Sequence, residues 1–261
     1  MFIQNDEDIY LLQDGKVLTK LLPKIYTLKY DKPRDSYYLR MLKPNFNLSG
    51  AFNISKLEKI SNRIVSSYNS ELKNLGVLFS GIKGSGKTFQ MQHICNNFLS
   101  LNIPVITISE AFHGSELEYF LNTLGECVLV FDEFTNIYER ELQTKILSLI
   151  DGNFTCKRLV LFSTNDYHLL AKEFINRPGR IKYHLKYSSI SLEELNEYCS
   201  IYLNNTDLIP DIIELYNRHA FVTYDLLKTI VNECNLFPEE TFESIKSILN
   251  LKRINHVSNS Y

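Results

Sequence analysis

The chain has no tryptophan, only ten glycines and seven prolines in 261 residues, and almost no net charge at −2. So little glycine and proline, beside 44% hydrophobic residues, excludes a low-complexity or disordered chain and leaves enough apolar mass for a real core. A pI near 6.3 lacks the lysine and arginine surplus of a protein whose main work is coating nucleic acid, although a local basic patch stays open. No apolar run approaches the ~18 residues of a membrane span, and the longest, such as Cys127 to Phe131, suit a buried strand. The start, Met1 to Asp8, is acidic and has neither the basic nor the apolar part of a secretory signal. Cys95, Cys127, Cys156, Cys199 and Cys234 are odd in number and never form a C-x-x-C pair, so reduced core thiols of a cytoplasmic protein with no membrane attachment are expected. With so few glycines, where each one stands carries information.

The first fifty residues predict a small β meander. Asp8–Leu12, Val17–Leu22, Ile25–Tyr30 and Tyr37–Leu42 are apolar or aromatic runs broken by turn residues at Asp14-Gly15, Pro23, Pro33 and Pro44. Ser55-Lys56-Leu57-Glu58 is a capping-box pattern that opens a helix. From Val77 the texture changes. Five short apolar runs, Val77–Ser80, Val105–Ile108, Val128–Phe131, Leu159–Phe162 and Ile181–Leu185, alternate with helical stretches and lack polar alternation, which predicts a parallel sheet covered on both faces. After Tyr187 only helices are expected, started at Ser191, Pro210, Thr223 and Pro238.

Gly81-Ile82-Lys83-Gly84-Ser85-Gly86-Lys87-Thr88 matches G-x-x-x-x-G-K-[ST] in full, after an apolar strand and before the helical stretch that Phe89 opens. Glycine lets the backbone turn its N–H groups inward around a phosphate, and the following helix points its positive end at the same anion. Lys87 would neutralise the β- and γ-phosphate oxygens of ATP, and the Thr88 hydroxyl would ligate Mg²⁺. Gly81 to Phe89 is therefore the expected nucleotide-binding stretch.

Cys127–Phe131 ends in Asp132-Glu133. Asp132 is the candidate second magnesium ligand, and Glu133 the general base that deprotonates the attacking water. Leu159–Phe162 ends in Ser163-Thr164-Asn165, where Asn165 can bond the water and the γ-phosphate. Asn176-Arg177-Pro178-Gly179-Arg180 follows. Together these stretches resemble the AAA+ family. Leu147-Ser148-Leu149-Ile150-Asp151-Gly152 looks like a helix end of its AAA clade, and the Arg-Pro-Gly-Arg stretch is most similar to the membrane-anchored AAA proteases and the mitochondrial Rieske-protein translocase. The resemblance implies a P-loop α/β core with five parallel strands ordered 5-1-4-3-2, a C-terminal helical lid and a small β-rich segment in front. It also implies a homo-oligomeric ring, usually a hexamer, in which Arg177 and Arg180 act as arginine fingers in the neighbour's site.

The plan expected is a β-rich domain over 1–52, a nucleotide-binding core over 53–187, a lid over 188–255 and a polar tail over 256–261. Ala111-Phe112-His113-Gly114 departs from the family's aromatic–apolar–glycine gripping loop at His113, and Phe112 either grips a threaded chain or packs on the helix that follows. His93 and Cys95 share one helix without a matching pair elsewhere, so core packing is preferred to a metal site. Near Phe221 to Leu226 no arginine is placed as a second sensor, and Thr223 or Tyr224 is the guess for a ribose neighbour. The favoured function is a Mg²⁺-dependent ATPase that remodels or unfolds a protein client. The alternatives are a DNA-directed motor or loader, with nucleic acid less favoured, and a slow nucleotide-dependent scaffold.

Overall fold

In a computed structural model of the chain, the residues described are 2–5, 8–11, 20–49, 52–112, 114–151, 156–175, 181–219 and 222–251. Their contacts divide into two compact units, one of 1–81 with 87–186, the other of 82–86 with 187–261.

The first unit is built on a single sheet. Its strands, among the described residues, are β1 (Phe2–Asn5), β2 (Asp8–Leu11), β3 (Ile25–Asp31), β4 (Ser36–Lys43), β5 (Leu75–Gly81), β6 (Val105–Thr107), β7 (Cys127–Phe131), β8 (Arg158–Thr164) and β9 (Ile181–Tyr187). They lie in the order β1-β2-β4-β3-β6-β7-β8-β5-β9. The last five of these, counted from the β9 edge, give the predicted order 5-1-4-3-2, and the pairs β5·β8, β7·β8 and β6·β7 are parallel. Every residue of β7 and β8 is buried, as strands covered on both faces must be, which is why neither alternates in sequence. Beyond β6 the N-terminal strands continue the same sheet: β3 runs parallel to β6 with Ile25 opposite Val105, and antiparallel to β4.

The helices of this unit are α1 (Ile54–Ser70), α2 (Lys87–Ser100), α3 (Ser115–Thr123), α4 (Phe134–Ile137), α5 (Arg140–Asp151) and α6 (Lys172–Ile175). The second unit holds α7 (Leu192–Tyr202), α8 (Ile209–Arg218), α9 (Tyr224–Leu236) and α10 (Phe242–Ile248). Ser191 forms the reciprocal capping box predicted for it, with its hydroxyl accepting from Glu194 N–H and the Glu194 carboxylate accepting from Ser191 N–H. Pro210 stands in the first turn of α8, and the Thr223 hydroxyl caps α9 by accepting from Leu226 N–H.

Three local expectations are not met. The capping box at Ser55 does not form: α1 starts one residue earlier, behind Asn53 in a left-handed conformation with no side-chain cap. Of the strand expected at Val17–Leu22, residues 17–19 lie outside the described residues and Lys20 to Leu22 form no strand. The helix expected at Pro238 starts at Phe242 instead, where the Thr241 hydroxyl accepts from Ser244 N–H. Of the two readings of Phe112, packing is the one found: it is buried, edge-on to the Tyr37 ring at 5.4 Å, and its N–H donates to the Tyr138 hydroxyl. Packing has taken the aromatic side chain that a gripping loop would have to expose. His113 lies outside the described residues.

His93 and Cys95 are accounted for by packing. The His93 ring is hydrogen-bonded to the Ser61 hydroxyl at 2.8 Å, and Cys95 is buried with its thiol pKa pushed up by burial. No helix among the described residues is long and apolar enough to cross a membrane.

Candidate active site

Parallel strands bring their carboxyl ends to one edge of a sheet, and here the polar tips of β7 and β8 meet there. The residues just before and after the two carboxylates, Phe131 and Phe134, are both buried. Phe131 stacks on Phe162 at 5.0 Å, and Phe134 meets Phe162 at 4.9 Å and Phe174 at 5.0 Å. Aromatic packing of this kind fixes the chain on both sides of the acidic pair, so Asp132 and Glu133 are held on a rigid shelf.

The backbone of Glu133 is left-handed, at φ 51° and ψ 43°, a conformation that costs a non-glycine residue about 1 kcal/mol. Its N–H is spoken for, donating to the Ser163 hydroxyl at 2.8 Å and to Asp132 Oδ1 at 3.1 Å. The same Ser163 hydroxyl donates to Asp132 Oδ1. One buried hydroxyl at the end of β8 thus orients both carboxylate residues at the end of β7. The sequence triplet pointed to Asn165 and missed Ser163. The available signal was a serine closing an otherwise apolar strand.

Across from Asp132, the Thr88 hydroxyl lies 3.1 Å from Oδ2. A hydroxyl and a carboxylate on adjoining elements make a hard-oxygen donor set, which fits Mg²⁺ completed by water and phosphate oxygens. Lys87 is buried, and its ammonium group donates to the Gly81 carbonyl at 2.7 Å, reaching back to the last residue of β5. Burial lowers its pKa, while Asp132 and Glu133 act the other way and favour its charge. Near the same strand end the Ser80 hydroxyl is hydrogen-bonded to His184 Nε2 at 2.7 Å, and the His184 ring stacks on Tyr167 at 5.0 Å. Burial lowers the pKa of His184, and Lys186 adds to the effect.

Glu133 has its own partners. Asn165 Nδ2 donates to Oε1 at 3.3 Å, and Asn136 Nδ2 donates to Oε2 at 3.0 Å. Lys87, Thr88, Asp132, Glu133 and Asn165 thus share the end of one sheet. Arg177 and Arg180, with Gly152 and Phe221, lie outside the described residues.

The loop at 82–86 belongs to the second unit. Gly84 has φ +77°, and a Cβ there would stand 2.9 Å from Asp225 Oδ2 and 3.0 Å from Thr223 Oγ1. Glycine is required at that point by both conformation and space. The Ser85 hydroxyl donates to the Ile82 carbonyl at 2.7 Å, which closes the turn on itself. Thr223 is engaged as the cap of α9, and the Tyr224 ring lies 3.8 Å from where a Cβ of Gly86 would be.

Residues 77–189 match the sequence model of the ATPase family associated with various cellular activities (AAA). The match spans less than half of the chain. No curated protein matches it in sequence. Three solved structures of RuvB from Thermotoga maritima, each of a different single-residue variant, have the same fold. They are 16, 17 and 18% identical, with TM-scores of 0.53, 0.52 and 0.50, each covering 76% of this chain and 70, 70 and 69% of its own. The fold is that of the α/β P-loop AAA+ proteins, and the family that residues 77–189 resemble is one of ATP-hydrolysing enzymes.

Proposed function

We propose that this chain is an AAA ATPase that binds Mg·ATP at the end of β5, β7 and β8, and that hydrolysis drives the remodelling of a protein partner within a homo-oligomeric ring. The observation that carries the chemistry is the convergence of Lys87, the Thr88–Asp132 oxygen pair and the doubly held Glu133 at one sheet edge. Thr88 and Asp132 would hold the magnesium ion, which when bound supplies positive charge to the phosphate oxygens. Lys87 leaves the Gly81 carbonyl for the β- and γ-phosphates. Glu133 takes a proton from the attacking water, Asn165 turns its amide to that water and the γ-phosphate, and Arg177 and Arg180 serve the neighbour's site.

A protein client is favoured over nucleic acid by the near-neutral charge of the chain, −2 with a pI near 6.3. The likeness to RuvB structures keeps a DNA-directed motor as the second reading. Glu133→Gln should bind ATP and hold it unhydrolysed, trapping whatever the protein acts on. A trapped polypeptide, with ATP turnover raised by that polypeptide and unmoved by DNA, is the expected result. Stimulation by single- or double-stranded DNA alone would transfer the function to the second reading. ATP turnover that survives Glu133→Gln would remove the assignment of the base.

A further inference from the structure

Asn136 is not part of any motif in the sequence, yet among the described residues it is one of two side chains that hold the carboxylate of Glu133. It lies one helical turn after Glu133, in α4, where its own N–H donates to the Glu133 carbonyl at 2.8 Å and its side-chain amide donates to Oε2 at 3.0 Å. Main chain and side chain of one residue therefore both close on Glu133. Asn165 holds the other oxygen, Oε1, from the end of β8.

These two donors are not equivalent. Asn165 sits on a neighbouring strand and, in the proposed reaction, turns its amide to the water and γ-phosphate, which releases Oε1. Asn136 has no such second task, because its reach is fixed by the short turn that the buried Phe134 and Tyr138 pin to the core on either side of it. The carboxylate is then held by one oxygen and open at the other. A general base needs that arrangement: an oxygen free to accept the proton, on a side chain that does not swing away from the line of attack. The left-handed backbone at Glu133 adds to the need, since it sends the side chain out exposed, with few neighbours to restrict its rotamers.

We propose that Asn136 is a positioning residue for the hydrolytic step, tethering Glu133 by Oε2 so that Oε1 faces the attacking water. The proposal rests on the reading of Glu133 as the base. A hydrogen bond to a charged group is worth enough that its loss should slow turnover roughly tenfold or more. Asn136→Ala and the shape-conserving Asn136→Asp, which replaces the donor by a second carboxylate, should both lower kcat by that factor. KM for ATP, the affinity for a fluorescent ATP analogue and the Tm should stay near wild type. Asn136→Asp tests the donor specifically, because a role in filling space would leave it active.

The pair of backgrounds separates the two ideas. If Asn136→Ala lowers kcat on its own with KM, nucleotide affinity and Tm unchanged, and does not slow the residual turnover of Glu133→Gln any further, Asn136 acts through Glu133 as proposed. If Glu133→Gln abolishes hydrolysis while the Asn136 variants keep or exceed wild-type kcat, the tether is wrong and the base stands. If the Asn136 variants lose nucleotide affinity and stability to the same extent in both backgrounds, the residue is structural and the proposal is overturned. Persistence of hydrolysis in Glu133→Gln removes the base itself, and the tether with it.

Discussion

The strands β7 and β8 pair along the whole of β7, yet the two ends of the pair are built on opposite principles. At the carboxyl end Asp132, Glu133 and Asn165 keep oxygen and nitrogen atoms open to solvent, where a ligand can reach them. At the amino end, where Cys127 faces Arg158, polar atoms are shut in and consumed by the protein itself. Arg158 is fully buried, and its guanidinium donates to the Leu121 carbonyl in the last turn of α3, where a cation also meets the negative end of the helix. The Cys127 thiol beside it is pushed up to about 11, chiefly by burial. Tyr68 spans the gap from α1, its hydroxyl donating to Glu126 at 2.9 Å and to the Lys157 carbonyl at 3.2 Å. Lys157 returns a bond to the Tyr68 carbonyl at 2.7 Å and lies 4.2 Å over the Tyr68 ring. One end spends its polar groups on stability, and the other keeps them open, for chemistry in the reading proposed.

The comparison is broken most severely at Arg158. Arg158→Ala removes a fully buried side chain and takes one of two donors from the Leu121 carbonyl, which also accepts from Leu124 N–H, so unfolding in urea should show a loss of about 3 kcal/mol or more. Arg158→Met keeps the volume and loses only the donor, and should cost about 1–3 kcal/mol. Neither should change kcat per folded molecule. A proportionate fall in kcat would show that the two ends are coupled.

Lys87→Ala is the reverse experiment. Its ammonium is a charged donor already drawn back to the Gly81 carbonyl, and the loss of a preorganised donor of this kind costs roughly a hundred- to a thousandfold in turnover. Thermal unfolding without nucleotide should stay within a few degrees of wild type. A large fall in Tm would mean that Lys87 is as structural as Arg158.

Between them stands Ser163, which is buried like the amino end and bonded to the chemistry like the carboxyl end. Ser163→Ala withdraws the donor to Asp132 and the acceptor for Glu133 N–H, leaving the left-handed backbone of Glu133 with one partner fewer. Turnover should fall roughly tenfold, with a stability loss of about 1 kcal/mol. ATP affinity measured without magnesium should hardly change, whereas the magnesium dependence should shift to higher concentration.

The same contrast explains what could be read from the chain. The carboxyl end, catalytic in the reading proposed, was legible as a set of motifs because that chemistry demands particular residue types at fixed spacings: a glycine loop ending in Lys87-Thr88, an apolar strand ending in Asp132-Glu133, another ending in Asn165. The order of the five core strands came with that resemblance. The amino end was illegible, since a buried arginine in Lys157-Arg158 reads like any surface pair, and Tyr68 finds its partners 58 and 89 residues away. The sequence leaves Phe112 open between gripping and packing for the same reason. Tyr37 and Tyr138, which decide it, come from distant strand and helix segments. The cap at Ser55 failed because a left-handed Asn53 redirects the entry to α1, and nothing local in the sequence specifies that.

His184 carries the smallest effect and the finest test of where the boundary between the two ends runs. Its ring lies at the carboxyl end of β5, hydrogen-bonded to Ser80 and stacked on Tyr167, so it is tied to the catalytic end by position and to the structural kind by burial. Burial and Lys186 lower its pKa below the ordinary 6.5. As the pH falls through that ordinary value, the unfolded chain takes up a proton that the native ring refuses, so the native state loses stability on the acid side and not on the alkaline side. His184→Gln keeps a partner for Ser80 and removes the titration. Between about pH 7.5 and 5.5 its Tm should therefore fall less than that of the wild type. If the two fall in parallel, the ring is not held neutral by its surroundings, and His184 sits with the solvent-open groups of the catalytic end.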